Sequence, residues 1–165
     1  RCSALRVLFL QDSIADDVIN MIKGAMRELN IGNPKWLATD VGPIIDERAL
    51  CSLLAHEAKM KDKAKLLYQC PLPKVCDKGA YFPPTLYEID DIQQLKKEVF
   101  GPVVHVVRFA ASSINRVVDS INSSGFGLTM GVHTRIEERA LRLASQSRAG
   151  NIYINRNMIG AIVGV

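Results

Sequence analysis

Two short runs constrain this chain more than anything else in it. Leu5 to Leu10 (Leu-Arg-Val-Leu-Phe-Leu) and Val103 to Phe109 (Val-Val-His-Val-Val-Arg-Phe) are nearly continuous in apolar residues. Runs of this length and make-up are those of strands buried on both faces, which occur in parallel sheets covered by helices. The segments around them have helical spacing. Behind the first run Ser13 is followed three residues later by Asp16, the spacing of a capping box. Ile14, Val18, Met21, Ile22, Ala25, Met26 and Leu29 then repeat at helical intervals until Gly32-Asn33-Pro34 stops the pattern.

The spacing predicts a second helix from Asp46 to about Lys63, with Ala49, Leu50, Leu53 and Leu54 facing inward. Short strands follow at Lys65 to Gln69 and Thr85 to Ile89, separated by a proline-rich loop from Pro71 to Pro84. Beyond the Val103 strand, Ile114, Val117, Val118 and Ile121 mark a helix closed by Ser124-Gly125, and Leu128 to His133 a strand. A further helix starts from a box between Thr134 and Glu137, with Ile136, Ala140, Leu143 and Ala144 inward. Gly150 ends it, and Asn151 to Asn155 is the last strand. Strands alternating with helices imply an α/β fold: a three-layer αβα sandwich around a mostly parallel sheet, read as one domain over residues 1–165.

Composition excludes several classes. The chain has 165 residues, 48% of them apolar and 23% charged. That is too hydrophobic, at too low a net charge, for disorder. At this size folding buries roughly 70% of the surface of the unfolded chain, so neither disulfides nor a metal are needed. No apolar run approaches the ~20 residues of a membrane span. The net charge of +4 is spread along the sequence. Its densest basic run, Lys59 to Lys65, reads as a solvated helix face, with none of the clustered aromatics of a nucleic-acid surface. Cys2, Cys51, Cys70 and Cys76 form no CxxC pair, and His56, His105 and His133 lie in unrelated segments, so no zinc site is expected. Without a secretory signal, free thiols in a reducing compartment are expected. The opening Arg1-Cys2 and the apolar close at Gly160 to Val165 read as the ends of a piece of a longer protein.

Five segments carry a resemblance. Arg1-Cys2-Ser3-Ala4-Leu5-Arg6 resembles the nucleophile motif of the aldehyde dehydrogenase superfamily. Gly32-Asn33-Pro34, Asp40-Val41-Gly42-Pro43, Glu98-Val99-Phe100-Gly101-Pro102-Val103 and Gly150-Asn151-Ile152-Tyr153-Ile154-Asn155 follow in the family's order. The likeness is nearest to the glutamate-semialdehyde (1-pyrroline-5-carboxylate) dehydrogenase part of the bifunctional bacterial flavoproteins of proline utilization. It implies the catalytic domain of the aldehyde dehydrogenase fold, with the NAD-binding domain and a FAD-dependent proline dehydrogenase domain upstream and outside the chain.

The resemblance also implies roles. Cys2 would be the nucleophile, attacking the aldehyde carbon to give a thiohemiacetal and then a thioester, with its backbone N–H as an oxyanion donor. Glu98 would accept hydrogen bonds from the nicotinamide ribose of NAD, and Phe100 would pack near the nicotinamide. Ser3, Gly160 and Ala161 would cradle the α-carboxylate of the substrate. The family's general-base Glu and oxyanion Asn fall upstream, and its Pro-Phe-Gly-Gly turn and oligomerisation flap downstream, so the segment alone is expected to be inactive. The whole protein would be a cytoplasmic homo-oligomer with peripheral attachment to the inner membrane, and nucleic acid would not bind this segment. Two other readings stay open: a catalytically silent aldehyde-dehydrogenase-like module kept for folding or oligomerisation, and an aldehyde dehydrogenase of different substrate specificity.

Overall fold

A computed structural model describes residues 2–160. The elements run β1 (Val7–Gln11), α1 (Asp12–Arg27), α2 (Glu47–Met60), β2 (Lys65–Gln69), β3 (Thr85–Glu88), β4 (Val103–Phe109), α3 (Ile114–Ser123), β5 (Thr129–Val132), α4 (Glu137–Gln146) and β6 (Asn151–Ile154). Short 3-10 turns at Lys74–Lys78, Ile92–Gln94 and Ala111–Ser113 join them. Four strands form one sheet in the order β1-β4-β3-β2, and β5 and β6 pair with each other. The pairings β1–β4, β3–β4 and β5–β6 are parallel, and only β2 runs antiparallel to its neighbour β3.

The layering follows from side-chain alternation along the two central strands. On one face Val7, Phe9, Val103 and Val107 pack with Leu53 and Met60 of α2, together with Phe82, Tyr87 and Ile89. On the other face Leu8, Leu10, Val104, Val106 and Leu86 pack with Ala15 and Ile19 of α1. The sheet is therefore covered on both sides, as the apolar runs imply, and β4 has the bounds read from the sequence. The β5–β6 pair has its own core, in which Val118 of α3 meets Val132, Ala140 and Leu143.

The expected start of α2 at Asp46 is borne out, while several other local expectations are corrected. Asp46 caps α2, its carboxylate accepting from Ala49 N at 2.7 Å. The Ser13 box is not formed: α1 begins at Asp12 directly off β1 with Gln11 as N-cap, and Ser13 Oγ instead accepts from Gln11 Nε2 at 2.7 Å. Thr134 does not cap α4 either. Its hydroxyl accepts from Ile136 N two residues on, a turn that ends before the helix begins at Glu137. Helix α1 stops at Arg27, short of Gly32, and α4 at Gln146, short of Gly150. Leu54 and Ile136, expected inside, are both about half exposed.

Ion pairs tie the sheet to α1. Arg108 on β4 donates through Nε to Glu88 on β3 at 2.9 Å and through Nη2 to Asp16 on α1 at 2.7 Å. The bonded Arg108 guanidinium holds the Asp16 carboxyl below its ordinary range.

Candidate active site

The turn before β1 carries Cys2 and Ser3. The Cys2 side chain is exposed, and among the four free cysteines only Cys51 shares that exposure. Ser3 is buried, with its hydroxyl donating to the Ile159 carbonyl at 2.7 Å across 156 residues of chain. The segment it meets is built by the end of β6. Asn155 follows that strand with φ of 53°, a left-handed conformation that asparagine tolerates. The Asn155 amide clasps the end of β5 by accepting from Thr134 N at 2.9 Å and donating to Thr134 O at 2.8 Å. An Asx turn in which Ile159 N donates to Asn157 Oδ1 then shapes the approach to Gly160. Gly160 is exposed, and a Cβ there would meet no atom within 4 Å. The structure thus brings Cys2, Ser3 and Gly160 to one place; Ala161 lies outside the described residues.

Glu98 and Phe100 lie on the stretch between the Ile92–Gln94 turn and β4. Both are exposed, and the Glu98 carboxylate makes no hydrogen bond or ion pair among the described residues. An open carboxylate two residues from an exposed ring suits a ligand with paired sugar hydroxyls and a flat heterocycle: the carboxylate accepts from both hydroxyls and the ring bounds the heterocycle. The residues present therefore fit the nicotinamide end of a dinucleotide.

Arg6, at the entry to β1, ties the segment that carries Cys2 and Ser3 to the segment that carries Glu98, a role the sequence alone does not give it. Its Nη2 donates to Leu95 O at 3.2 Å and to Lys97 O at 2.8 Å. Its guanidinium carbon lies 4.2 Å from the centroid of the Phe126 ring. Burial lowers the Arg6 pKa, and the nearby Glu98 carboxylate opposes that shift. The signal available in the sequence was a lone charge inside the apolar run Leu5 to Leu10.

The histidines correct another expectation. His56 on α2 and His105 on β4 are not unrelated: their Nε2 atoms lie 2.9 Å apart. His105 is fully buried, and its Nδ1 lies 3.3 Å from Arg6 O. A carbonyl oxygen only accepts, so Nδ1 carries the proton and His105 Nε2 accepts from His56. Burial pushes the His105 imidazole down to about 4, with the His56 charge adding to the effect. Tyr87 stacks on His105, with ring centroids 6.0 Å apart.

Comparison with known proteins places the chain in a family. The model of the aldehyde dehydrogenase family matches residues 1–164, and the chain belongs to that family. Membership implies the use of a nicotinamide dinucleotide in general terms. Among relatives, the bifunctional protein PutA of Klebsiella aerogenes is 48% identical across the whole chain, which spans 13% of that protein. A crystal structure of proline utilization A (PutA) from Bradyrhizobium japonicum superimposes with a TM-score of 0.93 at 48% identity, over 100% of this chain and 17% of that one. Human cytosolic 10-formyltetrahydrofolate dehydrogenase is 32% identical over 93% of this chain and 17% of its own length. No helix among the described residues is long and apolar enough to cross a membrane.

Proposed function

We propose that this chain is the nucleophile-bearing segment of a dehydrogenase that oxidises L-glutamate γ-semialdehyde, formed from 1-pyrroline-5-carboxylate, to L-glutamate with NAD+ in proline catabolism. The whole protein is bifunctional, with a FAD-dependent proline dehydrogenase elsewhere in its sequence and a separate NAD-binding domain that this segment docks. It is cytoplasmic, assembles as a homo-oligomer and attaches peripherally to the inner membrane. The segment alone is inactive. The likeness to proteins named PutA over the full length of the chain supports this reading.

One observation carries the chemistry: the hydrogen bond of Ser3 to Ile159 holds the exposed Cys2 beside the Gly160 turn. Cys2 sulfur adds to the aldehyde carbon, forming a C–S bond as the carbonyl electron pair moves to oxygen. The backbone N–H of Cys2 donates to that oxyanion. The backbone N–H groups at Gly160 and Ala161 hold the α-carboxylate and thereby aim the aldehyde at the sulfur, while Ser3, whose one hydroxyl proton goes to Ile159 O, shapes that turn. NAD+, when bound, supplies the hydride acceptor that turns the adduct into a thioester, and Glu98 and Phe100 hold its nicotinamide half. Water then cleaves the thioester, releasing the carboxylate and returning the Cys2 thiol.

The test removes the other exposed cysteine, Cys51, so that Cys2 is the exposed thiol left in this segment. In the full-length protein carrying Cys51→Ser, alkylation by iodoacetamide is followed by peptide mass spectrometry alongside semialdehyde-dependent NADH formation. Activity lost in step with labelling of Cys2, and slowed by the semialdehyde, is expected. Full activity with Cys2 alkylated would overturn the assignment in favour of a catalytically silent module.

A further inference from the structure

We propose that Arg6 is a positioning residue that sets affinity for the nicotinamide dinucleotide by clipping the Glu98 segment to the strand that follows Cys2. The inference rests on the reading of Glu98 above and assigns Arg6 a task that reading does not need. Leu95 to Pro102 lies between the Ile92–Gln94 turn and β4, and no strand or helix in that stretch fixes its path. Leu95 is buried and Val99 packs against the core, which anchors the stretch through side chains on either side of Glu98. The backbone just before Glu98 is held from outside, by the two bonds from Arg6 Nη2 to Leu95 O and Lys97 O.

Arg6 is held in turn. Its backbone carbonyl accepts from His105 N at 3.1 Å and faces His105 Nδ1 at 3.3 Å, and His56 backs His105. Phe126, ahead of β5, covers the guanidinium. The side chain that leaves the nucleophile strand therefore touches the cofactor segment on one side and the approach to the second sheet on the other. Its Nε is buried with no partner among the described residues. A buried donor left unpaired costs free energy, so the placement of this guanidinium is not explained by a fully satisfied hydrogen-bond set. Lysine, a point charge without a planar fork, would reach the carbonyls but would not also lie flat on Phe126.

The test measures steady-state kinetics of the full-length protein, comparing Arg6→Met, Arg6→Lys and Glu98→Gln with wild type. Arg6→Met is expected to raise KM for NAD+ about tenfold, the factor that 1.4 kcal/mol represents. KM for the semialdehyde and the rate of Cys2 alkylation stay within about twofold, the split that separates a cofactor effect from general damage. Arg6→Lys, keeping the charge and part of the carbonyl contact, recovers part of the NAD+ affinity. Unchanged KM for NAD+ in Arg6→Met, with a raised value in Glu98→Gln, would overturn the role of Arg6 alone. Unchanged KM for NAD+ in Glu98→Gln would overturn the reading of the cofactor site, and the inference with it. Equal losses toward both substrates would show a merely structural residue and also overturn the inference. Should Arg6→Met fail to fold, Arg6→Lys decides: raised KM for NAD+ alone supports the role, and wild-type kinetics overturn it.

Discussion

Acid should weaken this domain, in large part through one buried residue. His105 is fully buried on the α2 face of the central sheet, between Arg6 O just ahead of β1 and His56 from α2, with Tyr87 of β3 stacked on its ring. The charges acting on it are those of His56 and Arg6, both of which disfavour a proton there. Its imidazole titrates at about 4 in the fold against 6.5 in an unfolded chain. The folded state therefore binds fewer protons than the unfolded state between those values. Stability from this group is complete above pH 6.5 and is lost as pH falls from 6.5 to 4. Integrated over that window the loss is about 3 kcal/mol by pH 4. Protonation also removes the acceptor that His56 uses, so the loss is structural as well as electrostatic. Urea unfolding of the chain, followed by circular dichroism at pH 7.5 and 4.0 for wild type and His105→Gln, measures it. The variant has no imidazole to titrate at this position, while carboxylates such as Asp16 are common to both proteins. Wild type should exceed the variant by about 3 kcal/mol more at pH 7.5 than at pH 4.0. A difference between the two proteins that stays constant to within about 0.5 kcal/mol would refute the reasoning. So would a His105 titration near 6.5 by NMR.

Two further perturbations have definite signs. A Cβ on Gly101 would come within 2.7 Å of both Leu53 methyl carbons, so Gly101→Ala should cost about 1–3 kcal/mol by overpacking the core and lower the midpoint of urea unfolding. Asp46→Ala removes the acceptor for Ala49 N and should cost about 1 kcal/mol in the same assay, with Asp46→Asn close to wild type.

What the sequence made legible was what local periodicity controls. The run Val103 to Phe109 alternates across the sheet, so both faces had to be covered, and α1 and α2 cover them. Asp46 was readable as the start of α2 because an aspartate ahead of an apolar helical pattern can cap the first turn, and its carboxylate does so at Ala49 N. The capping-box spacing failed at Ser13 and Thr134. There neighbours two residues away, Gln11 and Ile136, took the hydroxyls, and chain direction out of β1 fixed the start of α1 two residues early, with Gln11 as N-cap. Contacts between distant segments had no local signature at all. The pairing of His56 with His105 depends on α2 crossing the sheet above β4, and the bonds of Arg6 to Leu95 and Lys97 span some 90 residues. The family motifs pointed to Cys2, Ser3, Glu98, Phe100, Gly160 and Ala161; only the fold reveals that Ser3 bonds to Ile159 and that Arg6 ties its own segment to the backbone before Glu98.

The covalent role proposed for Cys2 meets its sharpest test in semialdehyde-dependent NADH production by the full-length protein, wild type against Cys2→Ala, with circular dichroism to show that both are folded. Activity abolished in a folded Cys2→Ala protein is the expected result. Undiminished NADH production would contradict the account and make this segment a structural module whose exposed cysteine has no part in the reaction.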